Sequence, residues 1–461
     1  MRALMIELLA IGLIAESTAL TAAPLDEPRI ARIVRADLEK LGVPSASVAI
    51  VLDDRIAYAQ AFGQARLTPQ RAATSTDRYQ IGSISKEFLA ASMLMLQEEG
   101  KLSLEDRVGK YLPTLDSAAD VTLRQLLSHT AGIRDFWPQD YVFTRMLAPI
   151  STGEILELWA RQPLDFPPGE RWQYSNTGYT AAGVIFEKVS GASLFASLQR
   201  RVFGPLHMSS AVNADEGTVD SSDAVGYTRA ALGPLRPAPH VGKGWLFAAG
   251  ELAMTAEDLA RWDLSIIDGS LMKPASYREL EREILLKNGA GTRYALGLDV
   301  GLWSERRMLG HGGETSGFIS YNAIYPEQRA AIVVLTNSDA ADAATAIGDT
   351  LRDLVFESVS PVDTARRDEA RRIFDGLRQG QLDRNLLSDN AKDYFTPETV
   401  RDIAEGIAPL GPVESFRLTR TGTRGGMDFR IYEIKLAKRE LELVTRSLPD
   451  GKVEQYLISA K

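Results

Sequence analysis

The sequence predicts an α+β protein in two parts: an antiparallel sheet flanked by helices with a helical subdomain beside it, then a small α+β module. Three observations predict this. Strand patterns occur early and late up to residue 358, with helical patterns between them, so one sheet is built from both ends of that region. The pattern breaks at Ser358-Val359-Ser360-Pro361-Val362, and the highly charged stretch Asp363 to Arg372 follows, which marks a domain boundary. Beyond the boundary, helical stretches precede four strand patterns. The domains are read as 24–358 and 366–461, with residues 1–23 set apart.

Taken in order, Arg2 precedes an apolar run from Ala3 to Ala15, then small residues ending at Thr21-Ala22-Ala23. This pattern is that of a secretory signal peptide, although Glu7 and Glu16 are unusual in one. It implies a periplasmic or secreted protein, and no later stretch is long and apolar enough to span a bilayer. Glu27 to Leu41 is helical. Ala46 to Leu52 and Ile56 to Phe62 form a hairpin about an Asp53-Asp54 turn. Ser83 to Gln97 is a helix, with Leu89, Met93 and Leu96 on one face and Gly100 just past its end. From Leu102 to Leu285 the pattern is mostly helical with Pro/Gly-rich joints. Strands return at Tyr294 to Leu302, Phe318 to Tyr325 and Ala330 to Leu335, and Asp339 to Val355 is a closing helix. In the module, helices are expected at Glu369 to Leu377 and Pro397 to Ile407. Its strands are expected at Glu414 to Thr419, Met427 to Leu436, Glu440 to Arg446 and Val453 to Ile458.

Composition narrows the chemistry. The 461 residues are 45% hydrophobic and 25% charged, which excludes extended disorder. A net charge of −9 argues against binding a nucleic-acid backbone. There is no cysteine, so disulfides, thiolate metal sites and a Cys nucleophile are excluded together. No two of the four histidines have the spacing of an HExxH zinc site. Neither metal nor organic cofactor is expected, and the partner is a small-molecule or peptide substrate.

The chemistry must then come from Ser, Lys, Tyr, His and carboxylates, and a serine nucleophile is the first candidate. No GxSxG occurs, which leaves S-x-x-K at a helix start, where residues i and i+3 share a face. The helix N-terminus adds N–H groups and a positive field that favour an oxyanion and lower a lysine's pKa. A bare S-x-x-K arises about once by chance in a chain of this length, so context decides. Ser83-Ile84-Ser85-Lys86 opens an apolar helix, whereas Ser270-Leu271-Met272-Lys273 runs into Pro274. Tyr174-Ser175-Asn176 supplies a phenol able to shuttle a proton and an amide able to bind a carbonyl. Gly310-His311-Gly312-Gly313-Glu314, just before the Phe318 strand, lets a substrate approach closely and offers an oxyanion N–H. His240-Val241-Gly242 and Ser388-Asp389-Asn390 copy such letters in the wrong context.

S-x-x-K, Y-x-N and H-x-G in that order resemble the serine β-lactamase/penicillin-binding superfamily. More specifically, the sequence looks like the class C β-lactamase-related serine hydrolases, which include D-alanyl-D-alanine carboxypeptidases, D-aminopeptidases and esterases. Thr122 to Ile133, Ser175 to Tyr179 and Ala249 to Leu259 are similar as well, so the resemblance runs from about Leu25 to Glu357. It implies a β-lactamase/transpeptidase-like fold, with Ser83 as acylated nucleophile and Lys86 as its base. Tyr174 would share the proton transfers, and Asn176 would orient the substrate. The N–H groups of Ser83 and Glu314 would form the oxyanion hole beside Gly312 and Gly313. His311 would stand where class C β-lactamases carry the Lys of K-T-G; its weaker field favours peptidase or esterase action over efficient β-lactam hydrolysis. A lysine must fall from about 10.4 to act as base at neutral pH, and a Tyr174 phenolate is the alternative base. His129 is expected to pack or cap at a helix end away from the serine, and no function is read into His207. The module resembles an NTF2-like cone by its order of elements. A second reading is a penicillin-binding sensor or scaffold acylated without useful turnover.

Overall fold

Two apolar runs from opposite ends of the first domain meet in the middle of one sheet. The computed structural model describes residues 25–139, 141–216, 223–304, 306–359 and 361–461; the expected signal peptide lies outside the described residues. Helix α1 (Glu27–Leu41) is capped by the Asp26 side chain and ended by Gly42 at φ 66. Strands β1 (Ser45–Leu52) and β2 (Arg55–Leu67) form the expected hairpin, with Asp53 and Asp54 both at positive φ as a type I′ turn requires. A short β3 (Gln70–Ala72) follows. Helices α2 (Ser85–Glu98), α3 (Leu123–Leu127), α4 (Asn176–Ser190) and α5 (Ala256–Asp268) come next. Strands β4 (Asp299–Trp303), β5 (Arg306–Thr315), β6 (Phe318–Tyr325) and β7 (Ala330–Thr336) and helix α6 (Ala343–Val359) complete the domain.

The sheet runs β3-β2-β1-β7-β6-β5-β4, with β1 antiparallel to β7 from Ala46 opposite Thr336 to Leu52 opposite Ala330. Alternate side chains of these two central strands feed different cores. Ala49, Val51, Val333 and Leu335 pack with Phe88 of α2 and Trp262 of α5. Val48, Ile50, Ile332 and Val334 pack with Val34 of α1 and Leu351 of α6.

Two expectations are corrected. The strand expected over Tyr294 to Leu302 contracts to β4, whereas the H-x-G segment lies just before the Phe318 strand as expected and is itself part of β5. Gly310, Gly312 and Gly313 dilute the strand signal of β5, which is held by pairing to both β4 and β6. The middle region is less helical than its pattern suggests. Long loops join its helices, and Tyr79–Gln80, Leu252–Met254 and Val212–Asn213 form a small sheet.

Beyond residue 360 come α7 (Pro361–Arg378), α8 (Asp389–Tyr394) and α9 (Pro397–Ile407). An antiparallel meander follows, made of β8 (Val413–Arg424), β9 (Met427–Leu436), β10 (Glu440–Ser447) and β11 (Val453–Ala460). This module has its own core around Phe374, Phe395 and Tyr432. At the seam, Arg430 of β9 donates from Nε and Nη2 to Asp363 Oδ1 at 3.0 and 2.9 Å. Arg306 of β5 donates to Asp363 Oδ2 at 3.1 Å. Among the described residues no single helix is long and apolar enough to cross a membrane.

Candidate active site

Ser83 sits in a 3-10 turn, Gly82–Ile84, that leads directly into α2. Lys86 is one residue into that helix, fully buried, and its Nζ donates to three neutral oxygens. These are Ser83 Oγ at 3.0 Å, Asn176 Oδ1 at 2.8 Å and the Ala249 carbonyl at 2.7 Å. Tyr174 reaches in from the loop before α4 and donates from its OH to Ser83 Oγ at 2.6 Å. Ser175 caps α4 by accepting from Gly178 N–H, so the Y-x-N segment is fixed by a helix start. The serine oxygen is thus held between a phenol and an amine.

Asn176 is oriented by a residue that the sequence reading missed. Asp135 Oδ1 accepts the Asn176 backbone N–H at 2.9 Å, and Oδ2 accepts from Nδ2 at 3.3 Å, which turns Asn176 Oδ1 toward Lys86. Burial pushes the Asp135 carboxyl up, opposed by the backbone N–H groups around it and by Lys86. The Ala249 carbonyl and Tyr294 were missed as well. A backbone acceptor has no side-chain signature, and Tyr294 belonged to an expected strand.

β5 closes the other side. A Cβ on Gly82, which has φ 52, would stand 2.8 Å from Glu314 N and 2.7 Å from Glu314 O; one on Gly313 would strike Ile81 O and Ser320 Oγ. The two glycines therefore let the β5 backbone pack directly on the Ser83 turn. Ser83 and Glu314 share a recess of about 60 Å³ walled by Phe136, Trp137, Trp245 and Leu246. His311, Gly312 and Gly313 line the larger cleft with Ser83 and Tyr174. His311 Nδ1 donates to the Gly312 carbonyl, so Nε2 of the neutral ring accepts from Tyr294 OH at 3.0 Å. Burial first, and then the Lys86 charge, push His311 down to about 4, so it is neutral at neutral pH.

The cleft holds about 1270 Å³. Phe136, Trp137, Tyr141, Phe143 and Trp159 give it an aromatic wall. Arg134 at its edge is paired with Asp165 at 2.9 Å.

His129 departs from expectation. Rather than standing away from the serine, its ring packs against Tyr174 with centroids 4.2 Å apart. The chain brings it there because the turn after α3 runs beneath the loop that carries Tyr174, with Gln173 N–H donating to the His129 carbonyl. The discarded motifs lie elsewhere. Lys273 N–H bonds Glu98, at the end of α2 opposite Ser83, and Ser388 caps α8. His240 lines a separate pocket. His207 adopts φ 57, a left-handed backbone position.

A model of the Beta-lactamase family matches residues 30–355. Protein flp of Staphylococcus aureus (strain N315) is 27% identical over 324 residues. That match covers 68% of this chain and 63% of the relative, so the chain spans less than two thirds of that protein's length. Among solved structures, the octameric penicillin-binding protein homologue from Pyrococcus abyssi matches with a TM-score of 0.64 at 22% identity. It covers 94% of this chain and 100% of that one, so the likeness of fold takes in the C-terminal module. A D-stereospecific amidohydrolase from Streptomyces sp. matches with a TM-score of 0.60 at 26% identity over 72% of this chain and 98% of that one. With the family model covering most of its length, the chain belongs to the beta-lactamase family.

Proposed function

We propose that this chain is a serine hydrolase that cleaves an amide or ester bond through an acyl-enzyme on Ser83. The observation that carries this is the placing of Ser83 Oγ between Tyr174 OH and Lys86 Nζ, so a departing proton meets a base on either side. Oγ attacks the substrate carbonyl carbon and its proton passes to Lys86 or Tyr174. The N–H groups of Ser83 and Glu314 receive the oxyanion, and Asn176 orients the substrate. Protonation of the departing amine or alcohol from the Tyr174 side leaves an ester on Ser83. Water attacks that ester and gives a proton to the same group, which passes it to Ser83 Oγ as the C–Oγ bond breaks and the carboxylic acid product leaves.

The neutral His311 supports a narrower reading of substrate. A ring whose Nδ1–H is spent on Gly312 and whose Nε2 accepts from Tyr294 offers no cation to a substrate carboxylate. Peptidase, amidase or esterase action on a substrate without a carboxylate at that place is favoured over efficient β-lactam hydrolysis. The fold likeness to a D-stereospecific amidohydrolase agrees with that choice.

Ser83→Ala is expected to abolish covalent labelling by a fluorescent phosphonate or penicillin, and labelling that survives the change would overturn the assignment. Comparison of kcat/KM for nitrocefin, p-nitrophenyl butyrate, a D-Ala-D-Ala peptide and a D-amino-acid amide then tests the substrate. The ester or the amide is expected to lead; a lead for nitrocefin would reverse the reading of His311.

A further inference from the structure

One buried ionisable side chain touches the site yet has no part in the steps above. His129 is 2% exposed and held at φ 59, in the left-handed region. Its Nδ1 accepts the Ser175 backbone N–H at 3.1 Å, in the peptide group that joins Tyr174 to Ser175. Its carbonyl accepts Gln173 N–H at 2.9 Å. Its ring lies 4.2 Å from that of Tyr174, at an interplanar angle of 38°. Tyr294 and Tyr179 enclose it at 4.9 and 5.1 Å.

Two bonds and one ring contact therefore converge on three consecutive residues, and the middle of these stretches carries the phenol that touches Ser83. Because Nδ1 accepts, the proton of the neutral ring is on Nε2, which no polar atom among the described residues meets. A buried donor left without a partner is destabilising, a cost that ordinary core packing by an apolar ring would avoid. Phe would fill the space, but it could not hold the Ser175 N–H.

We propose that His129 is a positioning residue, which acts through Tyr174 by fixing its ring plane and the Ser175 peptide so that the phenol stays on Ser83 Oγ. It is not a proton carrier: Lys86 and His311 face it with charge or potential charge, Tyr174, Tyr179, Tyr294 and Trp172 surround it, and burial keeps it neutral. The proposal rests on Ser83 being the acylated residue, which the Ser83→Ala labelling result establishes or removes before any His129 variant is made; its removal overturns both.

The test is a pair of variants in two backgrounds, read as steady-state kinetics on p-nitrophenyl butyrate with the full chain. His129→Asn keeps an acceptor near Nδ1 and tolerates the left-handed backbone, but lacks the ring. It is expected to lower kcat about 10-fold or more at unchanged KM. In a Tyr174→Phe background the same change is expected to lower kcat less than 2-fold, because residues acting as one unit are not additive. Equal losses in both backgrounds, an unchanged kcat, or a loss confined to KM would overturn the proposal. His129→Gly, which meets the backbone position without strain, goes through the same two backgrounds if the Asn chain does not fold.

Discussion

The seam between the domains and the site around Ser83 bury charge in different company. In the C-terminal module and its seam, buried ions face opposite charges: Asp363 takes two arginines, and Arg417 reaches Asp353 at 2.7 Å and Glu433 at 3.0 Å. Elsewhere in the first domain buried carboxylates are paired as well, Asp77 with Arg71 and Asp258 with Arg261, but in and beneath the site the buried ionisable groups bond to neutral ones. Lys86 donates to a serine, an amide and a carbonyl, and His311 meets a tyrosine and a carbonyl. Glu87 accepts from the Trp262 indole at 2.7 Å, and Asp263 accepts from Asn322 at 2.9 Å; burial pushes both carboxyls up. Opposite charges at close range hold a joint in place. Neutral partners leave the ionisation state adjustable, which is what acid–base chemistry needs.

The largest effect that could break this contrast is at Lys86. Lys86→Ala is expected to lower kcat on p-nitrophenyl butyrate about 10³-fold, the scale of a general base, and a loss under 10-fold would remove Lys86 from the chemistry. At the seam, Asp363→Ala strands Arg430 and is expected to cost about 3 kcal/mol in denaturant unfolding with kcat unchanged. A fall in kcat at full stability would mean that this joint serves the site.

His311 sharpens the comparison through pH. Its folded value of about 4 lies below the ordinary value of about 6.5, so as pH falls the unfolded chain takes the proton first. The stability it contributes is complete above pH 6.5 and declines toward pH 4 by about 3 kcal/mol. Denaturation midpoints of the wild type and His311→Asn should therefore differ more at pH 7.5 than at pH 4.5; a constant difference would contradict the buried neutral ring. The smallest effect is expected at a helix start in the module. Ser388→Ala removes the α8 cap and should cost about 1 kcal/mol, seen as a lower melting temperature without loss of turnover.

Sequence carried the local features far. Helix α1 spans the residues expected of it, the Asp53-Asp54 hairpin turns where expected, and Lys86 lies in the first turn of α2 directly after the turn that holds Ser83. The four module strands occur in their expected places, extended at their ends. Features made by distant contacts were not legible. Asp135 meets Asn176 across 41 residues, and Lys86 meets the Ala249 carbonyl across 163. The helix expected from Glu369 begins at Pro361. Its charged first half looked like a linker, yet ion pairs such as Arg366–Glu369 line its surface while Ile373, Phe374 and Leu377 are buried.

The shared carboxylate at the seam also orders how the molecule comes apart. Peeling the module away takes Asp363 from Arg306 on β5 or from Arg430 on β9, and either separation strands a charge that had been buried. β5 carries His311 and lies against the Ser83 turn. Detaching the module at β5 therefore leaves Arg306, on the strand that carries His311, without its carboxylate partner.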